Sequence, residues 1–240
     1  MKPVIIAHRG NNQVFPENSL AGLRSAYELG CKAVEFDLQM TKDKQLVILH
    51  DSDTKRTSDT AASVFTHSYA QLRKVSVHEP SRFATQHYPT PISLLQDFLP
   101  LLSQYPQAHA YIELKHESLQ HWGRQCMVEA LLPLLTPFTE QCTIISFDLS
   151  VLTLIRQHSH LAIGWVLDRY STDRYQQASR LFPEFLIIDH TLLSTQQRPW
   201  VGSWEWMVYG VESIDLAMQH AKNGVKLIET DRLPVFTPLL

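Results

Sequence analysis

Short runs of apolar, β-branched residues recur along the chain: VIIA at 4–7, AVEFDL at 33–38, LVIL at 46–49, AYIEL at 110–114, TIISF at 143–147, AIGWVL at 162–167, FLIID at 185–189, WMVYGV at 206–211 and VKLIET at 225–230. Most lack the strict alternation of a half-exposed strand, so they predict strands buried on both faces, the signature of a parallel sheet covered by helices. Segments of helical period lie between them. NSLAGLRSAYELG at 18–30 predicts a helix with Asn18 as N-cap and Gly30 at its end, and SIDLAMQHAKNG predicts another between Ser213 and Gly224.

With 46–49 set aside as a short extra strand, eight strands remain, alternating with helices in 240 residues. That count in a chain close to the usual length of about 250 residues predicts a (β/α)8 TIM barrel. An open doubly wound sheet is the other architecture for such alternation, but the turn after the first strand reads HRGNNQVFPEN in place of the glycine-rich phosphate turn common there. Residues 51–91 break the rhythm with a polar, Pro-bounded stretch too long for an ordinary connection. They predict a small insertion over the top of the barrel, and the chain, residues 1–240, reads as a single domain.

In a barrel the chemistry sits at the C-terminal ends of the strands, and polar residues concentrate there in four neighbouring segments. His8 and Arg9 follow the first strand, Glu35 and Asp37 lie in the second, His50 and Asp51 follow the extra strand, and Glu113 and Lys115 end the third barrel strand. Alternate strand residues share a face, so Glu35 pairs in direction with Asp37, and Glu113 with Lys115, while Phe36 and Leu114 turn outward toward helices. Three carboxylates aimed into one barrel mouth repel one another, and a hard divalent cation with oxygen ligands, Mg2+ or Ca2+, resolves the conflict. Two imidazoles beside a metal and two cationic side chains suit cleavage of a phosphodiester: the cations offset charge on the phosphoryl oxygens while one imidazole takes a proton and the other gives one.

Taken singly, each feature has a plainer reading, since a Glu-x-Asp strand is commonly a solvated edge and the chain has 12 histidines to supply coincidences. His67, His78, His87, His109, His116, His121, His158, His160 and His220 are assigned to surface or capping roles. The convergence of His8, His50, Glu35, Asp37, Glu113, Arg9 and Lys115 on one rim is what independent surface placement does not produce.

AHRGNNQVFPENSLAGLRSAYELGCKAVEFDLQMTKDKQLVILHD and YIELK together resemble the motifs of the glycerophosphodiester phosphodiesterase family, with His-Arg-Gly, Pro-Glu-Asn, Glu-x-Asp, His-Asp and Glu-Leu-Lys in the family's order. The resemblance is densest over 4–57 and 110–115 and continues more thinly to the end of the chain. It implies a TIM barrel with a small insertion after the His-Asp motif, and metal-dependent hydrolysis of a small-molecule glycerophosphodiester to sn-glycerol 3-phosphate and an alcohol. It implies further that His8 and His50 form the acid–base pair, without fixing which of them gives the first proton, that Glu35, Asp37 and Glu113 ligate the metal, and that Arg9 and Lys115 hold the phosphate. Glu17 would add a polar contact behind the metal ligands. The chain departs from the family pattern at Gly210 and Glu212 and at Glu229, where an apolar residue is commoner. These departures bear on substrate preference more than on the chemistry.

The remaining bulk properties exclude more than they assign. A net charge of -3 gives no field for gathering nucleic acid, so anion recognition must be local. Cys31, Cys126 and Cys142, odd in number and far apart, fit reduced thiols rather than a disulfide framework. No run has the length of a membrane span and none has the form of a signal peptide, so the expected location is the cytoplasm, without stable membrane anchoring. A lysophospholipase D acting on lipids that keep one acyl chain would need an apolar groove, for which Val64, Phe65, Tyr69 and Phe83 are the available residues. A barrel kept only as a binding module would show losses among the seven rim residues, and there are none.

Overall fold

Eight parallel strands close on one another in the computed structural model, which describes residues 2–196 and 198–240. They are β1 (Val4–His8), β2 (Ala33–Met40), β5 (His109–Leu114), β6 (Cys142–Ser146), β7 (Ala162–Leu167), β8 (Phe185–Asp189), β9 (Glu205–Tyr209) and β10 (Leu227–Thr230). Each pairs in parallel with its neighbour, and β1 pairs with both β10 and β2, which closes the (β/α)8 barrel. The run at 46–49 becomes β3 (Leu46–Ile48), antiparallel to β2, and a two-residue strand β4 (Ser93–Leu94) pairs antiparallel with β3.

The barrel interior explains where the site lies. One residue from each of the eight strands, Ile6, Ala33, Tyr111, Ile145, Val166, Ile187, Met207 and Leu227, packs into a single buried cluster that plugs the barrel. Two residues further along a strand the side chain points the same way, one layer nearer the rim. That step leads from Ile6 to His8, from Ala33 to Glu35, from Tyr111 to Glu113, from Met207 to Tyr209 and from Leu227 to Glu229. The outward residues form a second core against the helices: Phe36 meets Phe98 of the helix Leu95–Gln104 edge-on, ring centroids 4.6 Å apart.

Residues 51–91 carry a smaller core of their own, in which Ala62, Val64, Leu72 and Val77 bury against Val47 and Leu49. Two isolated bridges, Asp53 with Ser63 and Ser76 with Pro91, hold the chain back on itself. Packing takes up the apolar residues expected for an acyl groove: Val64 is fully buried, Phe65 stacks on His121 at 4.2 Å, and Phe83 packs on His87.

One turn assignment changes. The helix Leu20–Glu28 is capped by Ser19, whose hydroxyl accepts from the amide of Gly22, and Asn18 lies outside it with φ at 57°. Gly10 is needed because of that same helix. With φ at +79°, a Cβ there would stand 2.7 Å from Gly22 C and 2.7 Å from Leu23 N. Gly10→Ala is therefore expected to cost about 2 kcal/mol or more through strain and overpacking, read as a lower midpoint in urea unfolding. An unchanged midpoint would show that the helix can retreat.

Candidate active site

All seven rim residues named from the sequence come together, and six of them line one cavity of about 190 Å³: His8, Arg9, Glu35, His50, Glu113 and Lys115. Asp37 lies directly beneath, 1% exposed, with its backbone in register with Glu113 across the β2–β5 ladder. The remaining wall is apolar or aromatic, with Ile145, Phe147, Val166, Ile187 and Tyr209, and Glu229 completes it. A larger cavity of about 680 Å³ opens at the other end of the barrel, between Trp200, Trp204 and Lys226. Its one carboxylate, Glu205, is paired with Lys226, so it assembles no acid–base set.

Carboxylates dominate the floor of the smaller cavity. Glu35, Asp37 and Glu113 each present an oxygen within 4.8 Å of the others. The Lys115 ammonium sits between two of them, 3.3 Å from Asp37 Oδ1 and 3.1 Å from Glu113 Oε1. The Arg9 guanidinium reaches Asp37 Oδ2 at 3.1 Å and Glu17 at 3.2 Å, and its backbone N–H donates to Glu35 Oε2. Asn18 holds Asp37 from the other side: its amide donates to Oδ2 at 2.9 Å and its carbonyl accepts from the Asp37 N–H at 3.2 Å. This use of Asn18 explains its left-handed backbone, which aims the side chain at β2 instead of at the helix.

These contacts do not balance the buried charge. Burial and the neighbouring Asp37 push Glu35 well above the usual carboxylate range and Glu113 up to about 7. Burial opposes the ionised form of Asp37 as well, but Arg9 and Lys115 outweigh it and hold Asp37 down at about 2. Among the described residues Glu35 Oε1 is buried with no hydrogen-bond partner, and Asp37 Oδ1 has only the Lys115 ammonium at 3.3 Å. The unpartnered Glu35 oxygen, in an all-oxygen donor set, fits a hard divalent cation held by Glu35, Asp37 and Glu113.

The two histidines are oriented alike. His8 Nδ1 lies 2.6 Å from Asp231 Oδ1, and His50 Nδ1 lies 2.6 Å from Asp51 Oδ1. A carboxylate on Nδ1 leaves Nε2 as the ring atom available to the cavity. Burial works against a charged His8, but Asp231, Glu229 and Glu35 prevail and push its pKa up to about 10.

Several functional neighbours carry no motif signal of their own. Asp231 lies more than two hundred residues from the histidine it holds. Arg56, from the insertion, grips Glu17 with two nitrogens at 2.6 and 2.7 Å and Asp51 at 2.8 Å, tying the His50 loop to the Arg9 segment. Glu17 therefore serves the cations Arg9 and Arg56. Glu79 accepts from the Glu17 backbone N–H and pairs with Arg82.

The model of the glycerophosphoryl diester phosphodiesterase family matches residues 8–192, which hold all seven rim residues, while β9 and β10 lie beyond the match. A glycerophosphodiester phosphodiesterase of Caldanaerobacter subterraneus is 26% identical over 239 residues, covering 94% of this chain and 93% of the relative. One from Bacillus altitudinis is 30% identical over 119 residues, about half of each chain. Among solved structures, an Oleispira antarctica phosphodiesterase in complex with the product sn-glycerol-3-phosphate superposes with a TM-score of 0.84 at 23% identity, over 96% of this chain and 93% of that one. A glycerophosphodiester phosphodiesterase of Agrobacterium tumefaciens gives a TM-score of 0.79 at 22% identity, over 98% and 99% of the two chains.

Proposed function

Because the chain belongs to the glycerophosphoryl diester phosphodiesterase family, we propose that it hydrolyses a small glycerophosphodiester to sn-glycerol 3-phosphate and an alcohol, with Mg2+ or Ca2+ bound and with His8 and His50 as the acid–base pair. The whole chain, 1–240, acts in this reading as one domain, with 51–91 as its insertion.

The observation that carries the proposal is the pair of carboxylate-backed imidazoles on one small cavity whose floor is three convergent carboxylates. His8 Nε2 accepts the proton of the glycerol hydroxyl that attacks phosphorus while His50 gives a proton to the departing alkoxide, leaving a cyclic phosphate; in the second step water opens that ring to glycerol 3-phosphate and the two histidines exchange duties. Asp231 and Asp51 keep each ring in the orientation that presents Nε2. Lys115 and Arg9, whose charges already face the cavity floor, hold the phosphoryl oxygens. A divalent cation on Glu35, Asp37 and Glu113 would offset the carboxylate charge that holds His8 protonated and would draw charge from the phosphoryl oxygens. The apolar wall of Ile145, Val166 and Ile187 excludes water from the glycerol end.

The test is release of glycerol 3-phosphate from glycerophosphocholine. Product should form with Mg2+ or Ca2+, stop on chelation and resume when the cation is restored. Absence of product at every divalent concentration would overturn the proposal. No helix among the described residues is long and apolar enough to cross a membrane.

A further inference from the structure

We infer that Glu229 selects the glycerol end of the substrate: its carboxylate accepts a hydrogen bond from the terminal hydroxyl, the neighbour of the one that attacks phosphorus. The inference rests on the proposed hydrolysis and adds a specificity-determining residue to it. Glu229 is the inward residue of β10. Leu227, two residues earlier, belongs to the interior plug, so the alternation of the strand turns Glu229 into the cavity one layer above it. Its side chain is 6% exposed, and that narrow opening is onto the cavity it lines. Burying a carboxylate is costly unless a donor meets it, so a residue placed in this way favours an occupant that brings one.

Position around the barrel decides which part of the substrate meets it. β10 flanks β1 on one side and β2 flanks it on the other, with β3 beyond β2. Glu229 therefore lies across His8 from His50, which follows β3. With the leaving alcohol at His50 and the attacking hydroxyl at His8 Nε2, the glycerol end extends past His8 toward β10. Glu229 Oε1 stands 3.7 Å from His8 Nε2. Oxygens on adjacent carbons are close enough that one hydroxyl can meet the imidazole while its neighbour meets the carboxylate, each at ordinary hydrogen-bond length. Ile145, Val166 and Ile187 make much of this end apolar, so a single placed acceptor fixes orientation. An acyl ester in place of the terminal hydroxyl removes the donor and leaves the buried carboxylate unmet. Glu229 therefore also works against lipids that keep an acyl chain.

The experiment compares glycerophosphocholine with its 1-deoxy analogue, 2-hydroxypropyl phosphocholine, which keeps the attacking hydroxyl and lacks only the terminal one. With Mg2+ or Ca2+ supplied, wild type should favour glycerophosphocholine in kcat/KM by at least about tenfold, the scale of one hydrogen bond to a charged group. Glu229→Ile, which makes the inward residue apolar, should turn the two substrates over with equal efficiency. A change in His8 or in the fold acts on both substrates alike and leaves their ratio unmoved. Glu229→Gln, a weaker acceptor of the same shape, should give a ratio between the two and serves if the isoleucine variant fails to fold. Equal efficiency on both substrates in wild type would overturn the role of Glu229 while leaving the proposed function standing, as would an undiminished preference in the variants. A variant that alters only the preference between choline and a neutral leaving alcohol would assign Glu229 to the other end of the substrate and overturn the inference. Hydrolysis of neither substrate would overturn it together with the proposed function.

Discussion

Replacing His50 by alanine is expected to lower kcat for glycerophosphodiester hydrolysis by about 10²–10⁴-fold, the range over which a positioned acid–base group contributes. The fold should survive, because the side chain is about one-third exposed and contributes little to the core. Its backbone carbonyl, which accepts from Gln39 Nε2, is unaffected by the substitution. Asp51 also keeps its bond to Arg56, so the loop that carries His50 stays tied to Glu17. A thermal midpoint near that of wild type alongside the rate loss would isolate the chemical role. A rate within a few-fold of wild type would remove His50 from the acid–base pair.

Asp37→Asn and Glu113→Gln should both abolish tight metal binding but differ sharply in stability. On the proposed metal site each would remove a charged ligand, so the loss in affinity should exceed the roughly 10–100-fold that outer-shell substitutions cost. Asp37 also compensates two buried cations, Arg9 at 3.1 Å and Lys115 at 3.3 Å. Neutralising it leaves both underpaired, and breaking a buried pair from one side costs about 3–5 kcal/mol. Glu113 is different: burial beside Asp37 has already pushed its pKa up to about 7, and Lys115 retains Asp37 when Glu113 is neutral. Glu113→Gln should therefore unfold in urea within about 1 kcal/mol of wild type, since little ion pairing is lost. Equal destabilisation by the two variants would mean that Asp37 is not the residue that anchors the cations.

These two predictions separate what each carboxylate does, a distinction that the motifs alone do not make. Glu35, Asp37 and Glu113 look equivalent as acidic residues on alternating strand positions. In the barrel, Asp37 is encircled by Arg9, Lys115 and Asn18, whereas Glu35 is left with an unpartnered oxygen. Similar residue types have acquired different electrostatic roles because neighbouring strands deliver different side chains to them.

The barrel and its rim were legible because both depend on local periodicity. A buried parallel strand needs an unbroken apolar run, and a strand-end site needs polar residues at a spacing of two, so VIIAH, AVEFD and AYIEL announce both at once. The contacts of Asp231 with His8, of Arg56 with Glu17 and of Asn18 with Asp37 have no such period. They arise where barrel closure brings β10 beside β1, where the insertion folds back across the mouth, and where the loop after β1 meets the neighbouring β2. The chain order thus determined which side chains face inward and which chemistry they offer. Only closure of the barrel decided which charges became neighbours, because charge pairing depends on distance in space, and the sequence orders residues along one dimension alone.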